Sequence, residues 1–341
     1  MELLEEKTLQ VSRGFTYTYY ASAAKHNLPA LLMIHGFPDS PEEFSDVVRD
    51  YLLPNGYGVI AVDCLGYGGT SKPLDREAYN YQLLAQDLEE IINKESVDQV
   101  ISTGHDWGTD IHLVQQGSPI AQRFYNFYPN RVCGLVLLNA AYIAPSTQPF
   151  DLDKVIELNT KRFGHGTHWY WKLFTAPNAA QILDAHLESQ WTLLHAEPES
   201  WLETLTVKDG VRNFILQDKK LPVLPYATEQ RRLRWLERFK SGGFDAPLSY
   251  YRAVTFGTQD KALAAILPEN YVVKVPHLFW GGKRDYVCPP ELCDYSFKAG
   301  LLPDCTKVVV DSGHWAHLDR PADFGDTLLG WLKKKFPRPR L

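Results

Sequence analysis

The chain has 341 residues, with 35 Lys and Arg against 41 Asp and Glu, and its formal net charge of -6 offers no basic footprint for nucleic acid. With 45% hydrophobic and 22% charged residues it is too apolar to be a disordered chain, and it is long enough to bury one large core plus an inserted subdomain. No apolar run approaches the ~20 residues that span a bilayer. The expected partner is therefore a small molecule, with neither nucleic acid nor membrane.

The N-terminus, Met1 to Lys7, is acidic and resembles neither a secretory signal nor a transit peptide. Short apolar runs then alternate with helical patterns, which predicts a parallel sheet covered by helices. The buried strands are expected at Ala30 to Ile34, Gly58 to Val62, Gln99 to Ser102 and Gly134 to Leu138. Between them, Glu42 to Leu53 and Tyr81 to Lys94 show helical spacing, with Leu84, Leu88, Ile91 and Ile92 on one stripe. Gly66-Tyr-Gly-Gly69 lacks both phosphate-loop and dinucleotide spacing and reads as a tight turn. From about Ala144 to Pro268 the strands give way to Trp- and Tyr-rich helical segments punctuated by prolines. His165-Gly-Thr-His168 in that stretch has metal-like spacing but no companion ligands, so a cap or surface role is expected. Strand-like runs return at His277 to Trp280 and Lys307 to Val310, followed by a helix from Ala322 to Lys335. The expected organisation is an α/β core at 1–143, a helical cap at 144–268 and the remainder of the core at 269–341.

Five cysteines, Cys64, Cys133, Cys288, Cys293 and Cys305, are odd in number and form no C-x-x-C pair, which suits reduced thiols and a cytosolic location. The terminal Pro339-Arg340-Leu341 resembles a peroxisomal tripeptide except at its proline, so the peroxisome is the second expectation.

Gly104-His-Asp-Trp-Gly108 follows a predicted strand and occupies the place of a G-x-S-x-G nucleophile elbow, with Asp106 at the nucleophile. His35-Gly-Phe-Pro38 comes directly after another strand, where such folds place a backbone N-H for an oxyanion hole. Asp285 and His314 each follow a later strand. The order nucleophile, acid, histidine is complete, with every member at a strand's C-terminal end, where open α/β sheets assemble active sites.

On these residues the chain resembles the α/β-hydrolase-fold epoxide hydrolases of the soluble kind, through His35-Gly-Phe-Pro38, Asp63 to Gly68, Gly104 to Gly108, Arg284-Asp285 and Gly313-His-Trp315. The resemblance implies a mostly parallel sheet with helices on both faces and an inserted helical cap. It also implies two cap tyrosines that bind the epoxide oxygen; Tyr170 and Tyr251 match those motifs. A carboxylate is already ionised near neutral pH and can displace an alkyl carbon directly, so an aspartate suits an alkyl electrophile. Asp106 would form an ester, the tyrosines would protonate the alkoxide, and His314, held by Asp285, would activate water. The backbone N-H groups of Phe37 and Trp107 would meet the oxyanion, and His35, Trp107 and Trp315 are expected to line the substrate site. Epoxide and water are the partners, and no metal or organic cofactor is required.

Three rivals are distinguishable. A haloalkane dehalogenase also uses an aspartate followed by tryptophan, but Phe37 stands where its halide-binding asparagine commonly follows His-Gly. A fluoroacetate dehalogenase resembles Asp-Arg where this chain has Asp106-Trp107. A non-catalytic binding protein would hold a ligand under the cap without turnover. One departure from the family is an extra segment, Thr109 to Gln116, whose removal would restore the spacing to Tyr128-Pro-Asn-Arg-Val132. It is expected to displace the elbow helix toward Ile120 to Phe127, because proline at 119 biases Ser118 away from helix. Deleting Thr109 through Gln116 is expected to raise thermal stability and turnover; a deletion variant less stable and less active than the full chain would show the segment to be integral.

Overall fold

The computed structural model describes residues 1–106 and 119–338. Eight strands form one sheet: β1 (Glu5–Gln10), β2 (Thr16–Ser22), β3 (Ala30–Ile34), β4 (Gly58–Val62), β5 (Val100–His105), β6 (Val132–Leu138), β7 (His277–Gly282) and β8 (Cys305–Val310). Their spatial order is β1-β2-β4-β3-β5-β6-β7-β8. The strands from β4 through to β8 pair in parallel, while β1 and β2 add an antiparallel edge. The six parallel strands match the sequence expectation, with β5 extending further to His105 and β6 starting earlier at Val132. The antiparallel edge was not foreseen, because β1 is largely exposed and carries no apolar run.

The inner strands are continuous apolar runs because both faces are covered. Alternation persists inside them. Leu32, Ile34, Ile60, Val62, Leu135, Leu137 and Phe279 point to one core. Leu31, Met33, Val59, Ala61, Val136, Leu138 and Trp280 point to the other.

The helices of eight or more residues are α1 (Tyr81–Lys94), α2 (Pro119–Phe127), α3 (Leu152–Phe163), α4 (Leu187–Leu194), α5 (Glu229–Gly242), α6 (Asp245–Thr255) and α7 (Pro321–Lys335). Asn80 caps α1, its side-chain oxygen accepting from the N-H groups of Gln82 and Leu83, and the Leu84, Leu88, Ile91, Ile92 stripe is buried against the first core. α7 starts at Pro321, where a missing N-H costs nothing, and lays Phe324, Leu328 and Trp331 on the second core. The expected helical stretch over Glu42 to Leu53 is present from Pro41 to Asn55, as consecutive short helical segments of differing pitch. α2 covers the expected Ile120 to Phe127, and Pro119 begins that helix. The segment Thr109 to Gln116, and Trp107 with it, lies outside the described residues. Between β6 and β7 the chain forms helices and turns plus one isolated bridge, Ala196 with Val223, and no strand. No helix among the described residues is long and apolar enough to cross a membrane.

Leu137 is fully buried in β6, between β5 and β7. Leu137→Ala removes apolar contacts and leaves a cavity that the sheet closes only in part, so a loss of ~2–5 kcal/mol is expected in urea unfolding. A loss below ~1 kcal/mol would show that the centre of the sheet is loosely packed.

Candidate active site

The site is built at the C-terminal ends of the parallel strands. Asp106 follows β5 directly and is held at φ 62°, a left-handed backbone that a non-glycine residue adopts only when its surroundings enforce it. Its N-H donates to the carbonyl of Leu138 at 3.2 Å, which ties the turn to β6. Gly36 makes room for it: a Cβ there would lie 2.3 Å from the Asp106 Cβ, which nothing but a backbone shift could relieve.

His314 lies four residues beyond β8 and brings Nε2 to 2.7 Å from Asp106 Oδ1 and Nδ1 to 2.7 Å from Asp285 Oδ2. All three side chains are buried. Burial opposes charge on the imidazole, but the Asp285 and Asp106 carboxylates outweigh it and hold His314 well above its ordinary 6.5. The shift favours the imidazolium form of His314. Asp285 is oriented by the N-H groups of Val287 at 3.1 Å and Cys288 at 2.9 Å on one oxygen, and by Asn139 Nδ2 at 2.9 Å on the other. Asn139 also donates to the carbonyl of Gly313 at 3.2 Å. The N-H of Phe37 donates to Asp106 Oδ2 at 3.0 Å.

Above Asp106 the rings of Phe37, Tyr170, Trp171, Phe174 and Tyr251 pack together. Phe37 lies 5.2 Å from Tyr251, edge to face, and Tyr170 lies 6.2 Å from Tyr251. Burial pushes both phenols well above their usual range. The Asp106 carboxylate adds to this at Tyr170, while Tyr170 and then Asp106 add to it at Tyr251. Both phenols accordingly stay protonated. On the far side, Trp315 packs its ring 5.0 Å from His314 and donates Nε1 to Asp39 Oδ2 at 2.6 Å.

The structure thus brings together Asp106, Asp285, His314, Phe37, Tyr170, Tyr251 and Trp315. His35, expected among the substrate-binding groups, is held by backbone. His35 Nδ1 lies 2.9 Å from the carbonyl of Gly36 and its Nε2 accepts from the N-H of Cys64 at 3.1 Å. With both nitrogens engaged by backbone, that ring braces the loop after β3. His165 and His168 recruit no further metal-type ligand among the described residues: His165 Nε2 reaches the carbonyl of Tyr286 at 2.9 Å, and His168 is buried beside Thr167.

Sequence reasoning missed Asn139 and a layer beneath the triad. Glu43 Oε2 lies 2.8 Å from His105 Nδ1 and 3.6 Å from His317 Nε2, all three buried. His105 Nε2 sits 3.1 Å from the carbonyl of His314; since a carbonyl only accepts, that nitrogen carries the proton. Burial first, then the Asp106 charge, pushes the Glu43 carboxyl well up, and burial pulls His105 down to about 4. Both shifts favour the neutral forms of these groups. The available signal was a histidine preceding the nucleophile and a glutamate just after the Phe37 loop.

The model of the alpha/beta hydrolase fold family matches residues 29–321. The chain belongs to that family. This alpha/beta hydrolase is 26% identical to bifunctional epoxide hydrolase 2 of Sus scrofa over 91% of the chain and 52% of that protein. It therefore spans about half the length of such bifunctional relatives. It is also 26% identical to epoxide hydrolase 3 of Xenopus tropicalis over 95% of the chain and 76% of that protein. Among solved structures, an epoxide hydrolase from an endophytic Streptomyces superposes with a TM-score of 0.78 at 22% identity, covering 98% of the chain and 96% of that structure. That likeness concerns the fold.

His314 has its raised value only while both carboxylates are charged. Its contribution to stability is thus fully present below the unfolded 6.5 and is lost as pH rises through the higher folded value. Asp106→Asn removes one carboxylate, so the His314 imidazole, followed by NMR, should titrate at lower pH than in the native chain. An unchanged titration would show that Asp106 does not set the charge of this histidine.

Proposed function

We propose that this alpha/beta hydrolase converts epoxides to vicinal diols through a covalent Asp106 ester. The observation that carries the reading is a carboxylate at the elbow, roofed by two buried and protonated phenols, beside a histidine-aspartate pair. The names of the relatives above support it.

Asp106 attacks an epoxide carbon, the ring C-O bond breaks, and Tyr170 or Tyr251 gives its proton to the alkoxide. Esterification cancels the Asp106 charge and with it one of the two carboxylates that keep His314 protonated. The buried phenolate, disfavoured by its surroundings, regains its proton at the expense of the imidazolium, and His314 becomes a base. Deprotonated by His314, a water attacks the ester carbonyl, and the Phe37 N-H meets the oxyanion. The acyl C-O bond breaks, the departing alkoxide takes the carboxyl proton, and the diol leaves an aspartate beside an imidazolium. Asp285 and Asn139 hold the imidazole through both steps.

Residues 144–268 are the cap in this reading, and their rings must part to admit the epoxide. The cytosol is the compartment we propose, supported by five free cysteines.

His314→Gln, incubated with styrene oxide, should accumulate an alkylated enzyme seen by intact mass, and Asp106→Ala should show neither adduct nor diol. Tyr170→Phe with Tyr251→Phe should slow adduct formation by at least the ~10²–10³ typical of losing one oxyanion donor. Diol formation that survives Asp106→Ala, or turnover of a chloroalkane with none of styrene oxide, would overturn the reading.

A further inference from the structure

The same two strands that precede Asp285 and His314 begin, at the opposite edge of the sheet, with His277 and Cys305. These two are direct partners in the β7–β8 register, so their side chains leave the same face of the sheet. Cys293, the first residue of the short helix Cys293–Lys298, lies over them. A ring nitrogen of His277 and the sulfurs of Cys293 and Cys305 all lie within 4.8 Å of one another.

The histidine decides what such a trio can do. His277 is fully buried, and its Nδ1 lies 3.1 Å from the carbonyl of Leu135. That carbonyl only accepts, so Nδ1 carries the proton, and full burial favours the neutral ring. Nε2 is then a lone pair, and this buried atom has no hydrogen-bond partner. The two sulfurs lie beside this ring. A neutral imidazole whose other nitrogen donates to a backbone carbonyl is the form in which histidine binds metals, and one nitrogen with two thiolates is a soft donor set. As mere filling for the core, the trio would leave that lone pair without a donor.

We propose that His277, Cys293 and Cys305 bind one thiophilic d¹⁰ cation, Zn²⁺ being the best fit, with water in the fourth position. On binding, each thiol releases its proton to solvent and the two thiolates neutralise the dication. Lys307, the nearby cation, is engaged with Asp294 at 2.5 Å and so adds little repulsion. Cys305 is half-buried on the edge strand, which gives the ion a way in. Placed at the N-terminal ends of β7 and β8, the ion staples the edge of the sheet to the helix beside it and takes no part in the chemistry at Asp106. The proposal therefore stands or falls apart from the epoxide reading.

The test uses the full chain, reduced, stripped with a chelator and then given Zn²⁺ or Co²⁺. One equivalent of Zn²⁺ should be retained and should raise the melting temperature, and Co²⁺ should produce a thiolate-to-metal charge-transfer band in the near ultraviolet. Cys305→Ser and Cys293→Ser should each lose the band. Should either substitution prevent folding, the native chain decides, because bound Zn²⁺ should shield Cys293 and Cys305 from alkylation in peptide mass mapping. No charge-transfer band, a band that survives either folded variant, or shielding that falls on Cys288 beside His314 would overturn the proposal.

Discussion

Everything at the catalytic end of this sheet follows from keeping an ionised carboxylate in a dry place. Asp106 and Asp285 are both buried. One imidazole lies 2.7 Å from each, and fixed donors surround them: the Phe37 N-H on one, and Val287, Cys288 and Asn139 on the other. The neutrality of Glu43 and His105 belongs to the same balance, since another buried anion nearby would raise the cost of ionising Asp106. In the proposed reaction the arrangement is poised: removing a single negative charge by alkylation would change the protonation of the histidine and so make the second half conditional on the first.

That balance explains which parts of the site were legible in the sequence. Asp106, Asp285 and His314 each stand just beyond a buried apolar strand, and a strand end is a local pattern that the chain spells out within a few residues. The Phe37 loop was readable for the same reason. Asn139 also follows a strand, yet its role comes from where Asp285 and Gly313 arrive, and both are far along the chain. Glu43, His105 and His317 meet only because the loop after β3, the end of β5 and the turn after His314 converge under the nucleophile. No spacing announces such a meeting. His35 failed in the opposite direction: its place in a recognisable motif hid the fact that two backbone groups already occupy its ring. β1 was missed because an exposed edge strand has no need of the apolar run that marks the interior, and β2, though mostly buried, is a run of Thr and Tyr without large aliphatic residues.

The two phenols show where resemblance adds to pattern. The chain has 18 tyrosines, and neither periodicity nor neighbours single out Tyr170 and Tyr251. What sets them apart is a ring cluster formed between segments some eighty residues apart, in which Phe37, from the sheet's own loop, packs edge to face on Tyr251. This contact joins the helical insertion to the loop that carries the oxyanion donor. Aromatic surface also excludes water, which strengthens both the phenol hydrogen bonds and the attraction between His314 and its carboxylates. The abundance of rings between β6 and β7 is thus a condition for the charges below them, and their packing alone would not require it.

A parallel sheet separates reactive from stabilising chemistry along its strands. The C-terminal ends of β5, β7 and β8 release the chain into turns, where the backbone can take the left-handed geometry of Asp106 and the side chains can converge. Those turns contribute strain and buried charge, both of which oppose folding. His314 hangs from an edge, because β8 is an edge strand with half-exposed residues that pairs, among the described residues, with β7 alone. If β8 loosens, His314 shifts, and a displacement of ~1 Å in such a site can cost on the order of a hundredfold in rate. Whatever fixes the N-terminal end of β8 against β7 therefore acts on the geometry at the other end of the same strand, without touching the substrate. The buried His277 and its two cysteines stand at that position.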